Sequence, residues 1–174
     1  MDDMHDSEMV LKPIGRVKSS LTLPSLNVDR ESRELQPNGK EIRGEHEKIK
    51  TMESVIELHE DQSNRLHGLE AFSHVVVVYW PHLIKEADRG IEEVHPMGNP
   101  EIPKQGVYAT CSPARPNPVL ISVVELINRT GCRLTVKGFE AVNDTPVIDI
   151  KPCSPHYMHA ENLVIPAWME SASA

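Results

Sequence analysis

Short runs of β-branched and aliphatic side chains recur along the chain, separated by polar stretches punctuated by Pro, Gly and Asn. The plainest run lies within Phe72 to Trp80. There Val75-Val76-Val77-Val78-Tyr79-Trp80 has no polar interruption, which predicts a strand buried on both faces. Val10, Pro13-Ile14-Gly15 and Val17 predict a first strand; Pro13 places it at a sheet edge or barrel rim, and Gly15 marks a bulge or a close backbone approach. Glu53 to Leu58 alternates apolar and polar positions, a strand pattern, and gives way to a polar turn over His59 to Asn64. Gly106 to Thr110, Ile121 to Ile127, Cys132 to Gly138 and Pro146 to Ile150 add four short runs rich in Val, Ile, Leu and Thr. Runs joined by Gly, Asn and Pro turns, without strong helical periodicity, predict a mainly β fold: a small antiparallel β-barrel with long loops and few short helices.

Two stretches break this rhythm. Ser19 to Lys50 is rich in Pro, Asn, Gly and mixed charge, has Pro37-Asn38-Gly39 as a turn signal, and reads as a long, mobile excursion. Its basic residues (Arg30, Arg33, Lys40, Arg43, Lys48, Lys50) are matched by as many acidic ones (Asp29, Glu31, Glu34, Glu41, Glu45, Glu47), so it is zwitterionic and not basic. Ile84 to Lys104 mixes charge with Gly90, Gly98 and Pro96, Pro100 and Pro103, so no regular element is expected there; a loop of that length in a small domain is usually functional or mobile. Residues 1–8 carry four carboxylates and read as a disordered acidic tail, leaving 9–168 as one barrel domain and 169–174 as a C-terminal tail.

Composition narrows the setting. At 174 residues and 19.5 kDa a single domain buries roughly 70% of its unfolded surface, enough for one core without staples. The longest apolar run is far short of the roughly 18 residues of a membrane span, and no signal-peptide pattern opens the chain; a soluble, cytoplasmic protein is expected. Cys111, Cys132 and Cys153 are odd in number, well separated and lack a C-x-x-C doublet, which fits a reducing compartment and no metal. The formal charge of −8 argues on its face against a phosphate-binding protein.

No Gly-rich phosphate loop, H-E-x-x-H, G-x-S-x-G or G-x-G-x-x-G occurs, which removes the common nucleoside triphosphatase, metalloprotease, hydrolase and dinucleotide classes. What remains is Thr110-Cys111-Ser112-Pro113-Ala114-Arg115-Pro116-Asn117-Pro118. Its three prolines fix φ and remove donors, so the loop is stiff and presents its remaining groups in preset directions. It reads equally as a rigid crossover between strands. In Glu140 to Lys151, Asn143-Asp144 tolerates positive φ and suits a hairpin turn, while Asp149, between Ile148 and Ile150, faces the opposite side of its strand. Asp149 is then either a pocket carboxylate or an exposed one paired with Lys151 or an arginine. His74 and His82 share a face if the strand between them is continuous, which Pro81 puts in question; His156 and His159 read as loop residues without a third metal ligand nearby.

Leu69-Glu70-Ala71-Phe72-Ser73-His74, then Ala109 to Pro118, then Asp144-Thr145-Pro146-Val147-Ile148-Asp149-Ile150-Lys151-Pro152, resemble in order and spacing the TsaA-like (TrmO, YaeB) family, with Pro13-Ile14-Gly15 as the opening strand. The resemblance spans roughly residues 10–156. It implies a small antiparallel barrel, usually a homodimer, that binds S-adenosylmethionine near the subunit interface. In bacterial members it implies methyl transfer to N6 of threonylcarbamoyl-adenosine beside the tRNA anticodon. By position it assigns cofactor contacts to His82 and Leu83, to Cys111, Arg115, Pro116, Asn117 and Ile121, and to Ala141, Val142, Asn143, Asp144 and Thr145. Because an acylated adenine N6 is a poor nucleophile until it loses its proton, a general base is wanted, and Asp149 is the candidate catalytic residue.

The departures from the family matter. Thr110-Cys111-Ser112-Pro113 stands where the family usually has Thr-Arg-Ser-Pro, Val119-Leu120-Ile121-Ser122 where it has Ile-Gly-Leu-Ser, and Asn143-Asp144-Thr145-Pro146 where Asp-Gly-Thr-Pro is frequent. Three functions follow: methylation of tRNA, methylation of a small metabolite with the same cofactor, and cofactor binding without transfer. The first requires Arg and Lys from distant segments to form a basic face despite the net charge.

Overall fold

The computed structural model describes residues 9–29, 34–37 and 42–169. In chain order its elements are β1 (Gly15–Lys18), β2 (Leu26–Val28), β3 (Leu35–Pro37), α1 (Ile42–Thr51), β4 (Glu53–Leu58), β5 (His74–Tyr79), β6 (Glu93–Val94), β7 (Gln105–Gly106), β8 (Leu120–Thr130), β9 (Arg133–Lys137) and β10 (Pro146–Pro152). Six of these strands close into a barrel in the order β1-β10-β5-β8-β9-β4, every neighbouring pair antiparallel. Closure removes the edges that an open sheet would leave unpaired.

Period-two alternation decides what fills the barrel. Val17, Ile56, Val75, Val77, Val124, Leu134, Val136 and Val147 turn inward with Phe139, each no more than 1% exposed. Full burial of such a side chain contributes about 1.5–3 kcal/mol relative to leaving it in water. A barrel of six strands filled this way has no room for a ligand at its centre. Binding must use its ends or its outer face.

A second, smaller core joins the two stretches in which the sequence shows little regular structure. Leu35, Ile91, Val94 and Ala114 are buried together, with Leu26 and Val28 packed against them. The excursion after β1 therefore contributes the β2–β3 hairpin and α1, and the hairpin is packed against the long loop before β8. Lys104 ties the same two stretches from outside, 2.7 Å from Glu34. Asn38, Gly39, residues 1–8 and residues 170–174 lie outside the described residues.

Several expectations are corrected. The first strand begins at Gly15 and is not an edge, since it pairs with both β10 and β4. Pro13 fits because it precedes the ladder. Gly106 to Thr110 is not a strand: after the two-residue β7 it turns as a 3-10 helix over Val107–Ala109, and Arg115 bonds to the carbonyls left there. Ile84 to Lys104 is not wholly irregular, holding β6 and short 3-10 turns. β5 ends at Tyr79, so His82 lies beyond the strand and His74 and His82 share no continuous face.

Candidate functional site

The strand registers bring the candidate loops to one end of the barrel. Arg16 pairs with Pro146 and Tyr79 lies between Leu120 and Val147, so the end of β1, the end of β5 and the starts of β8 and β10 meet there. The Pro-rich loop enters β8 at this end, the turn Ala141 to Thr145 enters β10, and His82 and Leu83 leave β5. We call this end the mouth.

The turn before β10 is clamped to the end of β1. Asp144 has φ 63°, a left-handed conformation that Asp tolerates better than most residues. The amide of Asp144 donates to the Val17 carbonyl at 2.8 Å, that of Val17 to the Thr145 carbonyl at 2.9 Å, and that of Asn143 to the Leu21 carbonyl at 2.6 Å. Lys18 Nζ sits 2.7 Å from Asp144 Oδ1, and Arg16 donates to the Asp144 carbonyl at 3.0 Å. The bond from Lys18, with desolvation opposing, holds the Asp144 carboxyl below its ordinary range. Thr145, at 1% exposed, is part of the packing.

His82 stands next to this clamp. Its Nδ1 is shut off from solvent and has no hydrogen-bond partner among the described residues. Burial first, then the Arg16 charge, holds the imidazole below its ordinary range, with Asp144 pulling the other way. A buried nitrogen without a partner is uncommon and marks a position that a ligand donor or acceptor can satisfy. Trp80, just before it, carries the Arg89 guanidinium 5.0 Å from its ring centroid.

The Pro-rich loop is held by its own arginine. Arg115 Nε donates to the Ser112 carbonyl at 2.8 Å, and Nη2 donates to the carbonyls of Val107 and Thr110. The guanidinium therefore staples the loop. It shapes the mouth more than it offers a free cation. Cys111, Pro116 and Asn117 are exposed along the loop, whereas Ala114 is buried in the second core and anchors it.

Ile121 and Asp149 lie on the outer face. Ile121, 68% exposed, pairs with Val78, which pairs in turn with Asp149. Asp149 is half-buried, with Oδ2 2.5 Å from Lys151 and Oδ1 accepting the Ile150 amide at 2.9 Å. This is the paired strand carboxylate of the two arrangements open from sequence. The structure does not bring it against the turn or the Pro-rich loop by any hydrogen bond or ion pair among the described residues.

Residues that the sequence pattern did not single out complete the mouth: Arg16 and Lys18, Ser19 and Leu21 beneath the turn, and the group Tyr79, Ser122 and Glu140. Tyr79 is 4% exposed, meets Phe139 edge-on at 5.2 Å between ring centroids, and donates to Glu140 Oε1 at 2.8 Å. Burial, reinforced by the Glu140 charge, pushes the phenol's pKa up and keeps its proton in place. These groups lie 61 and 18 residues apart along the chain, so no local pattern announces them.

Comparison with known proteins gives the chain's relatives. A "probable S-adenosyl-L-methionine-binding protein" of Methanothermobacter thermautotrophicus is 37% identical over 149 residues, covering 86% of this chain and 93% of the relative. An "S-adenosyl-L-methionine-binding protein" of Archaeoglobus fulgidus is 34% identical over 147 residues, covering 84% and 91%. The crystal structure of TrmO from Pseudomonas aeruginosa shares the fold, with a TM-score of 0.62 and 24% identity; the match covers 91% of this chain but 61% of that one. Residues 38–158 match the family described as "tRNA-methyltransferase O N-terminal domain". That stretch contains β5, the Pro-rich loop, β8, the clamped turn and β10, and by it the chain belongs to the tRNA-methyltransferase O N-terminal domain family.

Proposed function

We propose that the mouth binds S-adenosylmethionine and that the protein transfers its methyl group to tRNA, at N6 of threonylcarbamoyl-adenosine. The observation that carries the reading is the convergence, at one end of a filled barrel, of a stapled loop, a clamped turn and a partnerless buried imidazole nitrogen. The residues fit the cofactor's chemistry. Arg16 suits its carboxylate, the Glu140 carboxylate suits its cationic groups, and exposed Leu83 and Ile121 offer apolar surface to adenine. When bound, the cofactor supplies a methyl carbon that takes the acceptor's electron pair as the carbon–sulfur bond breaks. The protein's part is to fix directions and exclude water, for which a loop with three prolines and an arginine staple is suited.

Ile121 stands with Val123 and Ile127 as an exposed apolar stripe on the outside of β8, 68%, 55% and 44% accessible. A second copy packed over this stripe would bring Ile121 into a shared site and complete it as a homodimer. The relatives' names support the cofactor, and the family supports tRNA as acceptor.

The competing acceptor is a small metabolite. The observation in its favour is that Lys18, Lys104, Arg129, Arg133 and Lys151 are each paired with a carboxylate of the same chain, which weakens any basic face. Calorimetric titration with S-adenosylmethionine tests the shared premise, and no saturation at millimolar ligand refutes both readings. Radiolabelled transfer to bulk tRNA, followed by nucleoside analysis, then separates them. Label on threonylcarbamoyl-adenosine supports the first, and label confined to a small-molecule extract supports the second.

A further inference from the structure

Carboxylates on the described surface are repeatedly matched to cations: Glu34 to Lys104, Glu57 to Arg133, Glu70 to Arg129, Asp144 to Lys18 and Asp149 to Lys151. Glu140 is built differently. Its Oε1 accepts from the Tyr79 phenol at 2.8 Å and from the Ser122 hydroxyl at 2.5 Å, and those two hydroxyl oxygens are themselves 3.2 Å apart. Among the described residues Glu140 has no ion pair, and its Oε2 accepts no hydrogen bond. The residue is exposed although the phenol that holds it is buried. The chain thus spends two inward-facing hydroxyls on orienting one anionic oxygen pair at the mouth and leaves its charge uncompensated. Orientation without neutralisation suits a cation that arrives from outside.

We propose that Glu140, oriented by Tyr79 and Ser122, is the receptor for the positive charge at the reacting end of the mouth's ligand, so that the site prefers a sulfonium to the neutral thioether left after methyl loss. The inference rests on the cofactor reading above and adds a selectivity to it. Before transfer the ligand's sulfur is cationic; as the acceptor nitrogen gives its proton to a base and its electron pair to the methyl carbon, the carbon–sulfur pair returns to sulfur and leaves a neutral thioether. A fixed anion facing that sulfur holds the substrate form and lets the product form go.

The test is calorimetric titration of the wild-type protein and of Glu140→Gln with three probes: S-adenosylmethionine, sinefungin, which carries an amine in place of the sulfonium, and S-adenosylhomocysteine, the neutral thioether. The expected result is that Glu140→Gln weakens the two cationic probes on the order of tenfold to a hundredfold while S-adenosylhomocysteine changes by less than about threefold, as the loss of a charge-assisted contact requires. Tyr79→Phe, which keeps the carboxylate and Ser122, should retain most of the preference. An equal loss for all three probes, or no loss for any, overturns the proposal while leaving the cofactor reading intact. A wild-type protein that binds none of them overturns both. Unchanged thermal melting of Glu140→Gln, an exposed site, confirms that the comparison is between folded proteins.

Discussion

Gly15 offers the sharpest test of how the barrel is held closed. A Cβ placed there would lie 2.3 Å from the Glu57 carbonyl oxygen, 2.7 Å from Leu58 Cα and 2.8 Å from Leu58 Cδ2. Two of those atoms are backbone of β4, so no side-chain rotation relieves the contact. Reaching an ordinary separation of about 3.4 Å requires β1 and β4 to part by about 1.1 Å at this point. The bond from the His59 amide to the Ile14 carbonyl, 2.9 Å long, would then stretch to about 4 Å, beyond hydrogen-bond range. Overpacking of about 1–3 kcal/mol plus about 1 kcal/mol for the lost bond gives roughly 2–4 kcal/mol for Gly15→Ala. For a chain of this size that lowers Tm by about 5–15 °C. Thermal unfolding followed by circular dichroism measures it. Because Arg16 and Lys18 lie on the same short strand and clamp the Asp144 turn, ligand affinity should fall alongside stability. A Gly15→Ala protein that melts within about 2 °C of wild type would refute the claim that the β1–β4 approach has no slack.

Two further outcomes are expected. Arg115→Ala removes three bonds to the carbonyls of Val107, Thr110 and Ser112, so limited proteolysis should cut within residues 107–118 faster and cofactor affinity should drop about tenfold or more; Arg115→Lys should not rescue it, because one ammonium cannot reproduce the planar fork, and wild-type protease resistance in either variant would show that the prolines alone set the loop. The His82 imidazole titrates below its ordinary 6.5 in the folded protein, so the unfolded chain binds more protons in the window beneath 6.5; its contribution to stability is whole above that pH and declines as pH falls below it. Tm measured against pH should therefore slope less steeply below 6.5 in His82→Gln than in wild type, and identical slopes would place the imidazole in water.

The barrel was legible in the sequence because its strands are locally written. A valine run, an alternating Glu53 to Leu58 and β-rich stretches around Val124 and Val147 need only their neighbours to declare a period of two. The Pro-rich loop and the Asn143-Asp144 turn were legible for the same reason, since Pro and positive-φ residues act on their own backbone. What the sequence left open was decided by distance along the chain. That Asp149 pairs with Lys151 on the outside, that Arg115 spends its guanidinium on its own loop, and that Glu140 meets Tyr79 and Ser122 all depend on which strands lie side by side. The same holds for the excursion after β1: its amphipathic segments look aimless in isolation and acquire a core only when Leu35 meets Ile91, Val94 and Ala114. Residue type and local order fixed the strands and the stiff loops, because those are short-range steric choices. Tertiary structure alone decided the partners of each charged group, because closure of the barrel brings together segments that the chain keeps far apart.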